Sequence, residues 1–173
     1  RPIERIDLLL LGDVLDVIRS SRWLTGRSRP WDDPNSPAFY ETVSQITSDI
    51  LRRNEEALGE FRGGRGLARA LQADPAATRD GRPADRQLLP IPVHIHYMVG
   101  NHDWFYHLPG ENYSRLRRQI ALHMGLVTNP ETPFPHEAWE CNELLQTMRR
   151  HKVFARHGDV YDPCNFEGDR NAS

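Results

Sequence analysis

Cysteine is scarce in this chain. It occurs twice among 173 residues, as Cys141 and Cys164. Neither lies in a CxxC pair, and two cysteines are too few to form a disulfide framework at this size. A reduced, cytoplasmic setting is therefore expected. Long apolar runs are also missing. The longest, Leu8 to Leu11, is far too short to span a bilayer, so no transmembrane segment is expected. Charge of one sign does not dominate either. Lys plus Arg is 22 and Asp plus Glu is 24, a net of −2. That balance gives no global attraction to nucleic acid or to an acidic membrane surface. No nucleic-acid partner is expected, and any phosphate recognition has to come from a local site.

The rest of the composition reads as globular, with 38% hydrophobic and 27% charged residues. The length suffices for one domain with a real core. The sequence starts at Arg1, enters an apolar run almost at once, and ends on the polar stretch from Gly168 to Ser173. We expect one domain over residues 1–173, truncated at both ends. Residues 27–92 read as a helical and loop insertion or cap between the chemistry-bearing segments. No internal repeat is visible.

Ile6 to Leu11 is nearly continuous in apolar residues and is bounded by Gly12, which suits a strand buried on both faces of a parallel sheet. Val14 to Arg22 starts a helix or forms a loop. Pro30, Pro34 and Pro37 with Asp32-Asp33 mark a loop. Ser36-Pro37 then opens a helix, serine as cap and proline in the first turn. Phe39, Val43, Ile46, Ile50, Leu51 and Leu58 continue its helical spacing to Phe61. Leu67 to Gln72 could add a further helical turn, and Ala73 to Arg86 reads as a surface loop. Val93 to Val99 is the second strand. Tyr113 to Met124 is a helix, with Leu116, Ile120 and Leu122 on its inner side and Gly125 as its stop. Glu137 to Arg150 is helical in part, and Lys152 to Arg156 is a third, shorter strand. Alternating strands and helices of this kind give an α/β fold.

Each of these three strands is followed by residues that suit metal and proton chemistry. After the first come Gly12-Asp13-Val14-Leu15-Asp16. Glycine permits a sharp exit and close backbone approach to an ion, and the two oxygens of Asp13 could bridge two cations. Taken alone, Asp13 caps a helix as readily as it binds a metal. After the second come Gly100-Asn101-His102-Asp103, with a neutral carbonyl ligand in Asn101, a proton carrier in His102 and a carboxylate in Asp103 that could hold the imidazole. After the third come His157-Gly158-Asp159, where His157 could be an imidazole ligand. Sites of open α/β sheets form outside the carboxyl ends of strands, so three clusters distant in sequence would converge there.

The order GDxxD, GNHD, HGD resembles the calcineurin-like metallophosphoesterase family, over Ile6 to Asp159. The resemblance implies a β-sandwich flanked by helices, incomplete in this chain, and a binuclear metal centre. It implies hydrolysis of a phosphate ester or pyrophosphate bond by a metal-activated water. Asp13 would bridge two divalent ions, manganese foremost, with iron, zinc or magnesium as alternatives. Asn101 and His157 would bind the second ion. His102 would contact the phosphate and act as general acid, Asp103 would orient it, and Asp16 would support the site from behind. HGD in place of a plain GH also resembles the branch containing UDP-diacylglucosamine pyrophosphohydrolases.

Two family motifs are not in this chain. No DxH precedes Asp13 and no GHxH follows Asp159. The sole HxH, His94-Ile95-His96, precedes GNHD, and alternation puts both its rings on one strand face. We read them as strand residues, with metal ligation as the alternative. The expected partner is a phosphorylated small molecule, with Arg19, Arg22 and Trp23 as substrate-binding residues. An alternative reading is a catalytically inactive interaction module on the same fold. The sequence carries no signal for oligomeric state.

Overall fold

The computed structural model describes residues 3–61, 78–79, 82–83 and 92–162. Strand β1 (Ile6–Leu11) lies parallel to β4 (Val93–Met98), with Ile6 opposite Val93 and Leu11 opposite Met98. A parallel pair needs a long crossover, and here it contains α1 (Arg22–Thr25), α2 (Pro37–Arg53) and α3 (Glu55–Gly59). Two short strands, β2 (Thr78–Arg79) and β3 (Arg82–Pro83), pair antiparallel within the same crossover. Helices α4 (Glu111–Met124) and α5 (Asn142–His151) follow β4. Among the described residues, β1 pairs with β4 alone. The architecture is thus mixed helix and sheet, in agreement with an α/β reading. No helix is long and apolar enough to cross a membrane among the described residues.

Strand alternation sorts the side chains to two faces. Leu10, Tyr97 and Val99 join the larger core with α2 and α4, through Phe39, Val43, Ile46, Leu116 and Ile120. Leu9, Leu11 and Met98 pack on the other face against Leu144 and Met148 of α5. Because the strands are parallel and in register, both leave the sheet at the same edge. That edge receives Gly12-Asp13 and Gly100-Asn101 side by side.

Helix α2 begins as the sequence indicates. The Ser36 hydroxyl accepts from the Phe39 amide at 3.2 Å, and Pro37 takes the first position. It does not run unbroken to Phe61. Asn54 leaves helical geometry at φ −113°, ψ 21°, and its side-chain amide donates to the Ile50 carbonyl at 2.9 Å. Such side-chain competition for the backbone interrupts a helix. In α4, Leu116, Ile120 and Met124 are buried, but Leu122 is 75% exposed. Two residues on from Ile120 is roughly 200° around the helix, so Leu122 faces away. Gly125 ends α4 in the left-handed conformation at φ 66°, as expected.

Lys152 to Arg156 does not form the expected strand. Lys152 turns left-handed at φ 54°, and the Val153 amide returns to the Met148 carbonyl at 3.0 Å, closing the end of α5. Among the described residues no neighbouring strand pairs with this segment. Val153 and Phe154 are consequently exposed. The proposed helical turn at Leu67 to Gln72 lies outside the described residues, as does most of the loop expected at 73–86.

Candidate metal centre

The two strand-end clusters and His157, which follows the C-terminal end of α5 and not a strand, converge. Gly12 sits at φ 85°, where glycine carries no steric penalty. A Cβ there would lie 2.6 Å from the Gly100 amide nitrogen and 2.7 Å from His157 Nδ1. A Cβ on Gly100 would overlap Asp13 Oδ1 and come within 2.7 Å of His157 Cε1 and Nε2. Glycine at both positions is what lets the loops touch. Asp13 itself adopts φ 55°, an uncommon conformation for a residue with a side chain. Strained backbone of this kind clusters at functional sites.

Asp13 Oδ1 accepts from the His102 amide at 2.9 Å, which fixes the carboxylate. Its Oδ2 lies 3.3 Å from His157 Nε2. The same nitrogen lies 3.0 Å from Asn101 Oδ1. His157 Nδ1 is 2.7 Å from the Leu11 carbonyl. A carbonyl only accepts, so Nδ1 carries the proton and donates. A neutral His157 then turns the lone pair of Nε2 toward two oxygens. A second ring proton, or a divalent cation, satisfies all three atoms at once. A ring nitrogen oriented by a backbone carbonyl on its far side is the usual setting of a metal-bound histidine. Imidazole, carboxylate and amide oxygen suit a divalent metal. Asp13, Asn101 and His157 therefore fit one metal position. The resemblance implied two ions bridged by Asp13; among the described residues this edge groups ligands for one.

His102 is held by Asp16, not by Asp103. His102 Nδ1 lies 3.2 Å from Asp16 Oδ1. The contact is a close approach without hydrogen-bond geometry, and the same oxygen accepts from the Arg19 amide at 3.2 Å. The His102 carbonyl also accepts from the Val17 and Ile18 amides, both at 3.2 Å, binding the GNHD loop to the GDxxD loop. Asp103 is fully buried and both its oxygens are committed. One accepts from the Gly100 amide at 2.5 Å and the other from the Tyr97 hydroxyl. Burial raises the Asp103 carboxyl above its ordinary range, against the hydrogen bonds from Tyr97 and Gly100, which lower it. The expected contact between Asp103 and the imidazole is thus replaced by a role beneath the loop, where Asp103 sets the turn that presents Asn101 and His102. The turn is too tight for Asp103 to reach round to the ring of its neighbour, whereas Asp16 approaches from the facing loop.

Under the phosphoesterase reading proposed below, Asp16→Asn is expected to lower turnover of unactivated esters by on the order of 10–100-fold, the effect of losing a carboxylate that orients an imidazole. Metal content should be unchanged. Esters whose leaving group needs no proton should be affected least, and steady-state kinetics on the two substrate types measures the difference.

The substrate-binding expectations divide. Trp23 is 2% exposed, stacks on Phe105 at 5.6 Å and packs on Phe39 at 5.5 Å. Its indole nitrogen donates to the Val17 carbonyl at 2.8 Å. It is a core residue that anchors the loop carrying Asp16, because a flat ring with one donor is more stable buried against aromatics than on the surface. Arg22 is tied to Asp49 at 2.6 Å and to Gln45 at 3.1 Å. Arg19 is exposed and lies 3.4 Å from Asp16. Arg19, Arg22 and Arg53 line a polar cleft of about 540 Å³ that includes Asp16.

On the other side of Asn101 is a second cavity, about 320 Å³, lined by Trp104, His107, His136, Glu140 and Asp159 among others. His136 Nε2 lies 3.1 Å from Asp159. Sequence reasoning singled out Asp159 within HGD but missed His136, which sits in a proline-rich loop with no motif around it. Comparison with protein-family models, with curated proteins and with solved structures finds no match to this chain.

Proposed function

We propose that the chain carries the catalytic edge of a metal-dependent phosphoesterase, acting on an ester or phosphoanhydride bond of a phosphorylated small molecule. The observation that carries this is the meeting of His157 Nε2 with Asp13 Oδ2 and Asn101 Oδ1, beside a histidine paired with a carboxylate. The order of the motifs along the chain, similar to that of calcineurin-like metallophosphoesterases, supports the same reading. So does the parallel pairing that brings the first two motifs together. A β-sandwich, to which β1 and β4 would contribute neighbouring strands, belongs to this proposal.

Asp13, Asn101 and His157 would hold the ion. When bound, a divalent metal supplies charge for the phosphoryl oxygens and lowers the pKa of coordinated water. The chain's own residues do the rest. Leu11 holds His157 in the tautomer with a free Nε2. The His102 amide holds the Asp13 carboxylate in place. Asp16, 3.2 Å from Nδ1, would steady the His102 ring as it delivers a proton to the departing oxygen. The Arg19 side of the polar cleft offers positive charge to an anionic substituent.

The pairing of His102 with Asp16 favours an enzyme over an inactive interaction module, since a scaffold needs no aligned proton carrier. The test is a screen of phosphate monoesters, diesters and nucleotide-sugar diphosphates with the full-length protein and added manganese. Manganese-dependent hydrolysis that Asp13→Asn abolishes is expected. A folded, metal-loaded protein that hydrolyses none of them would leave the interaction module as the better reading.

A further inference from the structure

A second group of ligand-type residues lies at the other end of the same strands. Asp7 of β1 is opposite His94 of β4, and His96 is two residues further along the same face. Their ligand atoms all lie within 4.8 Å of one another. At about 3.3 Å per residue, Asp7 is roughly 13 Å along β1 from Leu11, so this group is separate from the strand-end centre.

Asp7 is polarised in a particular way. Its Oδ1 is 3.0 Å from His96 Nε2. Its Oδ2 accepts from Arg5 Nε at 2.9 Å and from His151 Nε2, at the end of α5, at 2.9 Å. The carboxylate side chain is 1% exposed. Burial pushes its pKa up, but the hydrogen bonds from His96, His151 and Arg5 outweigh that and hold the carboxyl well below its usual range. It is therefore ionised at neutral pH. His94 contributes the oddity of the group. Its Nδ1 is buried and has no hydrogen-bond partner among the described residues. Buried polar nitrogens are nearly always paired, and an orphan calls for an explanation.

We propose that Asp7, His94 and His96 form a binding site for a divalent transition metal of the zinc class. Two imidazoles and one carboxylate are a common donor set for such ions. Asp7 ligates through Oδ1, and Arg5 and His151 keep hold of Oδ2. That arrangement, a ligating carboxylate anchored by hydrogen bonds on its other oxygen, is how metal ligands are normally oriented. The ion takes the place of the hydrogen between His96 and Asp7, and the His96 ring then carries its proton on Nδ1. It joins β1 to β4 and, through His151, to the end of α5. Its effect is on stability, and it stands whether or not the strand-end centre is catalytic.

The test uses the chain with Asp13→Asn and His157→Ala, which removes ligands of the strand-end centre. Zinc is titrated calorimetrically, and thermal melting is followed with and without zinc. We expect one equivalent of zinc to bind and the melting temperature to rise with it. Adding His94→Ala, or His94→Gln if the alanine variant melts early without metal, should weaken that binding by more than about 100-fold. His94 is the ligand to remove because, among the described residues, its Nδ1 makes no hydrogen bond that the metal-free fold would lose. Absence of zinc binding in the first variant would overturn the proposal. So would an undiminished equivalent after the His94 substitution in a folded protein.

Discussion

On the proposed phosphoesterase reading, His102→Ala is expected to lower turnover of an unactivated phosphate ester by roughly 10²–10⁴-fold, the usual worth of a positioned general acid. Metal content should be unchanged, because His102 contributes its backbone amide to Asp13 and its ring to Asp16. The backbone contact survives the substitution. The loss should shrink for an aryl ester whose leaving group departs without a proton. Equal losses on both substrates would mean that His102 serves binding or structure instead. Undiminished turnover of the unactivated ester would remove it from the mechanism altogether.

Gly100→Ala is the second substitution with a large expected effect, although it deletes no chemical group. The added methyl would overlap Asp13 Oδ1 and lie within 2.7 Å of the His157 ring. None of these neighbours can retreat cheaply. Asp13 is pinned by the His102 amide at 2.9 Å, and His157 by the Leu11 carbonyl at 2.7 Å. The ligands must therefore separate, and a displacement of about 1 Å in a preorganised site costs on the order of 10²-fold. We expect metal affinity at this centre to fall by at least that factor and hydrolysis to fall with it. Far-UV circular dichroism should remain close to that of the parent, since the strain falls on three loops at the sheet edge and not on the core. Metal binding equal to the parent's would show that the loops do not meet as closely as described.

The sequence made the strand-end placement legible for a physical reason. Two six-residue strands, Ile6–Leu11 and Val93–Met98, lead to Gly12 and Gly100, and parallel pairing carried those ends to one edge. The ligand set at that edge follows from residue types that glycine spacing leaves exposed. What stayed hidden depended on side-chain reach. Asp103 adjoins His102 in sequence, yet its oxygens turn inward to Tyr97 and Gly100, and Asp16 on the facing loop takes the ring. Trp23 stood among arginines and looked available, but its ring found Phe39 and Phe105. Leu122 lay within an apolar stretch of α4 yet two residues out of phase with the buried stripe. Lys152 to Arg156 had the composition of a strand but, among the described residues, no neighbouring strand pairs with it. His94 and His96 read as strand residues, which they are. That Asp7 lies across from them depended on register, which neither strand reveals alone.

The most direct test of the account is to locate the metal. Crystals of the protein grown with manganese and measured at a wavelength where manganese scatters anomalously would show its position without reference to activity. The account predicts a peak at bonding distance from His157 Nε2, Asp13 Oδ2 and Asn101 Oδ1. A metal-loaded, catalytically active protein with no peak among those three atoms would contradict it.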